Sequence, residues 1–314
     1  MRYPHVGNTE KGDLIKASPY CFEVVLVIHI GLDWILLIII IFASSMQNVS
    51  QKEYNIKTNG GAFAFSAGST LFAALFFVIS SGGKLNFTSD TLIYSAFFGI
   101  TYAFAVIGAF LAIKTGPLSF TSLICSFSMI IPTFYGLFFL DEKVSVSFII
   151  GISLLLVSLA LINAEKKGDE RKITAKWILF VIIGFLGNGM CTVAQKMQQD
   201  AFSGSFKSEF MIVALLFVFV SFALISFFTE RKQLSESFKG SKWFIMRGLL
   251  NGLVNLLVMV LSARMNVSLM FPLISVGGLI LTFAISRLVY KENFSSKQYI
   301  GFALGVLAVI TLNL

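Results

Sequence analysis

Charged residues are scarce in this chain: Asp, Glu, Lys and Arg make up 13% of its 314 residues, about half the share usual in a soluble domain. Together with a hydrophobic content of 56% that includes 34 phenylalanines, the deficit argues for a bilayer as the solvent. Cysteine is nearly absent. Cys21, Cys125 and Cys191 stand far apart, so neither a disulfide scaffold nor a thiolate metal site is indicated. The two histidines, His5 and His29, have no ligand set near them. No glycine-rich phosphate loop, HExxH pair or nucleophile elbow occurs. The sequence therefore predicts no enzyme: no catalytic residue, no metal and no cofactor.

Acidic residues are also missing from the middle of apolar runs. Asp33, Asp90, Asp141, Glu142, Glu209, Glu230 and Glu292 all fall at the ends of such runs, within reach of water or a lysine, which weakens a buried-carboxylate proton switch. The formal charge of +8 comes from Lys and Arg that flank apolar runs rather than from a continuous basic helix. That placement fits loops held near anionic headgroups and excludes a nucleic-acid surface.

What is present is a succession of long apolar runs, at residues 34–52, 60–80, 91–113, 118–140, 146–163, 177–196, 208–229, 243–263, 268–290 and 298–313. Each keeps its backbone hydrogen bonds internal only as a helix, and each is too long for a barrel strand. The expected fold is an all-α polytopic membrane protein with ten transmembrane helices. Arg2, Lys11 and Lys16 ahead of the first run superficially resemble a secretory signal. Asp33 interrupts that apolar stretch and many spans follow, so 34–52 reads as a retained span and residues 1–31 as a tail or interfacial segment.

The ten runs fall into two sets of five. MQNVSQK, with Met46, Val49, Gln51 and Lys52, matches MCTVAQK, with Met190, Val193, Gln195 and Lys196, at an offset of 144 residues. Leu123, Ile124, Glu142, Ser145, Ile150, Gly151, Leu154 and Asn163 meet Leu273, Ile274, Glu292, Ser295, Ile300, Gly301, Leu304 and Asn313 at an offset of 150. Composition aligns apolar residues by chance, but not Gln-Lys, Glu, Gly and Asn in two consistent registers. The expected organisation is one repeat over 32–163, a charged linker at 164–176 and a second repeat over 177–314. An odd number of spans per repeat sends the second into the membrane from the opposite side, a layout many secondary transporters use for alternating access.

Polar residues on the spans are the candidate site. Gln47 and Gln51 stand one turn apart, as do Asn188 and Thr192, and Asn251 and Asn255. Hydrogen-bonding side chains are costly in lipid, so these faces point into the bundle or a wet cavity. Gln47, Gln51, Tyr102, Asn188, Gln195 and Asn251 are the expected substrate-binding residues, with amides to orient a small polar solute and an aromatic wall beside them. Polar glue between helices is the competing reading of the same residues. Lys52 and Lys196 read as lysines that snorkel to headgroups. Gly248 with Gly252, Gly301 with Gly305, and Gly99 with Ala103 are spaced for close helix contact. Pro132, inside a span, breaks the hydrogen-bond ladder.

These features resemble the drug/metabolite transporter superfamily in its ten-helix EamA-like branch. The markers are the Gln-Lys end of the first span of each repeat and the pair Phe139-Leu140-Asp141-Glu142 and Val289-Tyr290-Lys291-Glu292. The resemblance implies a multi-pass carrier in the cell membrane, moving a small metabolite, amino acid or drug. It places the cavity among spans 1–4 and 6–9, with spans 5 and 10 peripheral. It also implies cytoplasmic termini, whereas the positive-inside rule puts them outside: 16 of the 24 Lys and Arg fall on the face opposite the termini,. Small multidrug relatives carry a proton-exchanging glutamate eight residues before the lysine, where this chain has Ser44 and Asn188. The expected partners are a small-molecule solute and membrane lipids, as a monomer or a homodimer. The alternative is a membrane-embedded structural or binding subunit without transport activity.

Overall fold

The computed structural model describes residues 19–115, 121, 124–125, 127–140, 145–163, 174–291 and 295–312. They form α1 (Pro19–Lys57), α2 (Ala62–Ser80), α3 (Ser89–Thr115), α4 (Ile130–Phe139), α5 (Val146–Asn163), α6 (Ala175–Ala201), α7 (Lys207–Thr229), the short α8 (Leu234–Lys239), α9 (Ser241–Ser262), α10 (Val267–Leu288) and α11 (Ser296–Leu312). Helix α1 begins 15 residues before the expected first span. Pro19 suits a first helical position, and the apolar run behind it carries the helix on,. Helix α6 begins inside the expected linker, because Thr174 caps it by accepting the Trp177 N–H at 3.2 Å,.

Among the described residues six of the ten expected spans are helices long and apolar enough to cross a membrane: Gly31–Lys57, Ala62–Ser80, Ser89–Ala112, Ala175–Ala201, Lys207–Thr229 and Ser241–Ser262. These are the first three spans of each half. Phe127–Phe139, Val146–Leu161 and Val267–Thr282 are apolar but shorter. At a rise of about 1.5 Å per residue these apolar stretches by themselves fall short of a hydrocarbon layer about 30 Å thick, although the helix that holds the last of them continues to Leu288. The expected fourth span, 118–140, lies partly outside the described residues. A 3-10 turn over Phe127–Met129 leads into α4, where Pro132 is buried in the first turn.

Large apolar side chains cover the outside. Ile38, Ile79, Phe138 and Phe228 are 63%, 77%, 74% and 78% exposed, a surface that lipid, not water, accommodates. The protein is a multi-pass membrane protein. Its tightest helix contact joins α3 to α6: a Cβ on Gly184 would lie 2.9 Å from the backbone nitrogen of Ala109, and one on Gly187 would lie 2.5 Å from that of Ala105. Gly248 and Gly252 let α9 lie on α2, against Ser69 and Phe76. Their four-residue spacing meets one neighbour, as small-residue spacing at lipid-embedded contacts does.

The packing has an internal symmetry. Pairing α1–α5 with α6, α7, α9, α10 and α11, the contact of α3 with α6 has its counterpart in α9 with α1, and that of α2 with α9 in α7 with α3. Likewise α1 meets α10 as α6 meets α4, while α2–α7 and α5–α11 are contacts between counterparts. Local contacts fix the directions of the helices. The Glu230 carboxylate, just past the end of α7, accepts the N–H groups of Phe63 and Ala64 at the start of α2, at 3.0 and 2.9 Å. The start of α2, the end of α1 and the end of α7 therefore share one level, and α6, joined to the start of α7 by a short turn, ends at the opposite one. Helices α1 and α6 run antiparallel.

Candidate binding cavity

A cavity of about 660 Å³ lies where α1, α2, α3, α6 and α9 converge. Asn48, Gln51 and Asn55 line it from α1, Ser66, Ser69 and Thr70 from α2, Tyr102 and Phe110 from α3, Asn188 from α6, and Arg247 and Asn251 from α9. A second space of about 290 Å³ shares Asn48, Tyr102, Asn188, Arg247 and Asn251 with it and reaches deeper to Ser44, Gln47, Gln195 and Asn255. A side branch of about 200 Å³ runs from Asn188 and Thr192 to Ser128, Pro132 and Phe271 on the α4 and α10 side. The volumes fall in or near the range of small-molecule sites, about 300–1,000 Å³.

All six residues singled out from the sequence line this space. Gln51, Tyr102, Asn188 and Asn251 border the larger part, Gln47 and Gln195 the deeper one. They converge because the polar positions 44, 47, 48, 51 and 55 follow the helical period along one face of α1, and 251 and 255 do so on α9. Asn48, Gln51 and Asn55 are exposed although they belong to a membrane-spanning helix. An amide in that position is tolerable only against water or solute.

The cavity wall holds a chain of amides. Gln195 Nε2 donates to Asn255 Oδ1 at 2.6 Å, Asn255 Nδ2 to Asn251 Oδ1 at 3.1 Å, and Asn251 Nδ2 to Gln47 Oε1 at 3.2 Å. On the far wall Asn188 Nδ2 donates to Ser128 Oγ at 2.6 Å. These bonds orient the amides and join α6, α9 and α1. Gln51 and Asn55 make no side-chain hydrogen bond among the described residues and face the cavity uncommitted.

Sequence reasoning did not single out Arg247, although it falls inside the expected span 243–263. The structure sets it two turns into α9, lining both main spaces, with its guanidinium 5.3 Å from the Phe65 ring. Among the described residues no Asp, Glu or Lys borders any of the three adjoining spaces. A usable signal was present: Arg247, Asn251 and Asn255 recur every four residues and hence share one face of α9. Asn48, Asn55 and the hydroxyls of α2 were missed as well. Ser69 and Thr70 bond to carbonyls of their own helix, Ser69 to Phe65 at 2.8 Å, which satisfies them inside an apolar sequence.

The cavity lies toward the level where α1 ends and α2 begins, and the opposite level is closed. There Lys196 Nζ donates to the Ser262 carbonyl at 3.0 Å and pairs with Asp200 at 2.8 Å. Its side chain is only 12% exposed, which corrects the expectation that it snorkels: it satisfies a carbonyl at the C-terminus of α9. Asp33 meets Arg264 at 3.4 Å beside it. Lys52 lies 3.6 Å over the Tyr290 ring. The span-end carboxylates are held by backbone as well as by lysines: Glu209 accepts the Asn86 N–H at 2.9 Å, as Glu230 does those of α2.

Comparison with known proteins follows this division of the chain. A crystallised protein shares the fold with a TM-score of 0.72 over 90% of this chain and 98% of its own, at 13% sequence identity. A search of curated proteins returned no match. Residues 175–314, the second half of the chain, match the sequence model of the EamA-like transporter family, so this membrane protein is related through that region to a family of transporters and not to enzymes.

Proposed function

We propose that the protein is a secondary transporter that carries a small organic solute across the cell membrane by alternating access. In this reading α4, α5, α10 and α11 complete a ten-helix bundle of two inverted five-helix repeats, each shorter helix crossing with the help of its polar flanks. The observation that carries it is the connected polar cavity between the halves, closed at one level by the Lys196–Ser262 and Asp33–Arg264 contacts. Gln47, Gln51, Tyr102, Asn188, Gln195 and Asn251 contact the solute, the amides fixing its orientation and Tyr102 supplying apolar area. The antiparallel course of α1 and α6 supports the inverted arrangement, because equivalent helices in opposite senses allow the two halves to exchange conformations and move the opening across the membrane. With no carboxylate on the cavity wall, coupling by a buried acid is disfavoured and a uniporter, or coupling through another group, fits better.

The amide chain from Gln195 to Gln47 favours the second reading, a binding or assembly subunit whose polar residues only join helices. Solute flux into proteoliposomes decides between them. Transport requires uptake that saturates with concentration and falls when Gln51 is replaced by Leu; no saturable flux across a broad metabolite panel leaves the assembly role.

A further inference from the structure

Among the described residues the cavity is lined by one full positive charge and by no carboxylate. Arg247 makes no hydrogen bond or ion pair to any described residue, and its guanidinium lies over the face of Phe65, 5.3 Å from the ring centre. Carboxylates that could serve it are committed elsewhere: Glu53 to Lys57, Asp200 to Lys196, Asp33 to Arg264, Glu230 and Glu209 to backbone N–H groups. A guanidinium at membrane depth without a counter-ion is costly, and the cost falls when an anion enters. Its planar fork matches a carboxylate or phosphate through two parallel hydrogen bonds. Asn251, one turn further along α9, and Gln51 and Asn55 across the cavity offer amide N–H groups to the remaining oxygens. Phe63, Phe110 and Tyr102 give the same space an apolar wall. A cation or the ammonium of a zwitterion would meet Arg247 with no carboxylate to compensate it.

Resting on the transporter reading, we propose that the solute is a small organic anion, a carboxylate or phosphate on an apolar body, with Arg247 as the residue that selects it by charge. The class is narrower than metabolites, amino acids and drugs at large, and it excludes cationic drugs.

The test is thermal unfolding of the detergent-purified chain with probes that share a phenyl body: benzoate and phenyl phosphate, neutral benzamide, cationic benzylamine and zwitterionic phenylalanine, with phosphatidylglycerol in mixed micelles as a separate arm. A ligand that binds only the folded state raises the unfolding midpoint. The expected result is stabilisation by at least one soluble anion and by none of the other phenyl compounds at equal concentration. Arg247→Gln then weakens that binding by about tenfold or more, and Arg247→Lys by less, since it keeps the charge and loses the fork. Stabilisation by benzylamine or phenylalanine equal to that by the anions overturns the proposal, as does equal anion binding to a folded Arg247→Gln variant. Stabilisation by phosphatidylglycerol alone, or by no probe, overturns it too. Flux measurements on the same preparation separate the two readings: anion-selective binding without saturable flux removes transport and keeps the anion site, whereas saturable flux of neutral or cationic solutes removes only the anion site.

Discussion

The same dipeptide closes α6 on one side of the molecule and stands open on the other. In the second half Gln195 is 4% exposed and bonded to Asn255, and Lys196 is pinned to the end of α9. In the first half Gln51 faces the cavity without a side-chain bond, and Lys52 lies on the Tyr290 ring. Identical side chains at equivalent positions thus have unlike surroundings. The difference teaches that the repeat is a symmetry of sequence and topology, and that the state seen here departs from it where the cavity opens.

The largest expected effect removes the frame both halves share. Gly184→Leu forces a side chain into the backbone of α3 and is expected to cost about 3 kcal/mol, read as loss of a monodisperse folded species in detergent, whereas Gly31→Ala, with nothing within 4 Å of the added carbon, does not lower the unfolding midpoint and raises stability by up to about 1 kcal/mol through helix propensity. Lys196→Met strips a charge-assisted bond from the closed end and should destabilise by about 1.5–3 kcal/mol in the same unfolding assay. Changing Gln195 to Leu leaves Asn255 Oδ1 without its donor and should cost about 1 kcal/mol,. Gln51→Leu should leave the midpoint in place and lower flux instead; equal destabilisation by the two would erase the distinction between a sealed and an open end. The smallest effect belongs to Asp33→Asn, which breaks a half-exposed pair with Arg264 and should shift stability by about 0.5 kcal/mol or less.

Much of the bundle was legible because the bilayer imposes a simple rule on sequence. Runs such as 208–229 and 243–263 sit within two residues of α7 and α9, since hydrocarbon demands a continuous apolar helix and polar turns end it. The candidate residues were legible for the complementary reason, an amide in such a run needing a polar neighbour. The start of α1 was not: Asp33 reads as a break, but its carboxylate is met by Arg264, 231 residues away, so the helix passes through it. Glu230 looked like a surface acid and instead caps α2 from α7. Arg247 looked like a span-edge charge for the same reason, since its distance from the end of the apolar run says nothing of which neighbours surround it.

Composition and periodicity by themselves determined that the chain is a helical membrane protein with polar stripes, because each helix must satisfy its own backbone and hide its own polar face whatever it packs against. Only the tertiary structure decided which stripes meet, which amides pair across α6, α9 and α1, and that a lone guanidinium stands among them. Those are relations between side chains far apart in sequence, brought together by helix contacts as close as that of Gly184 with Ala109, and no local rule of the chain contains them.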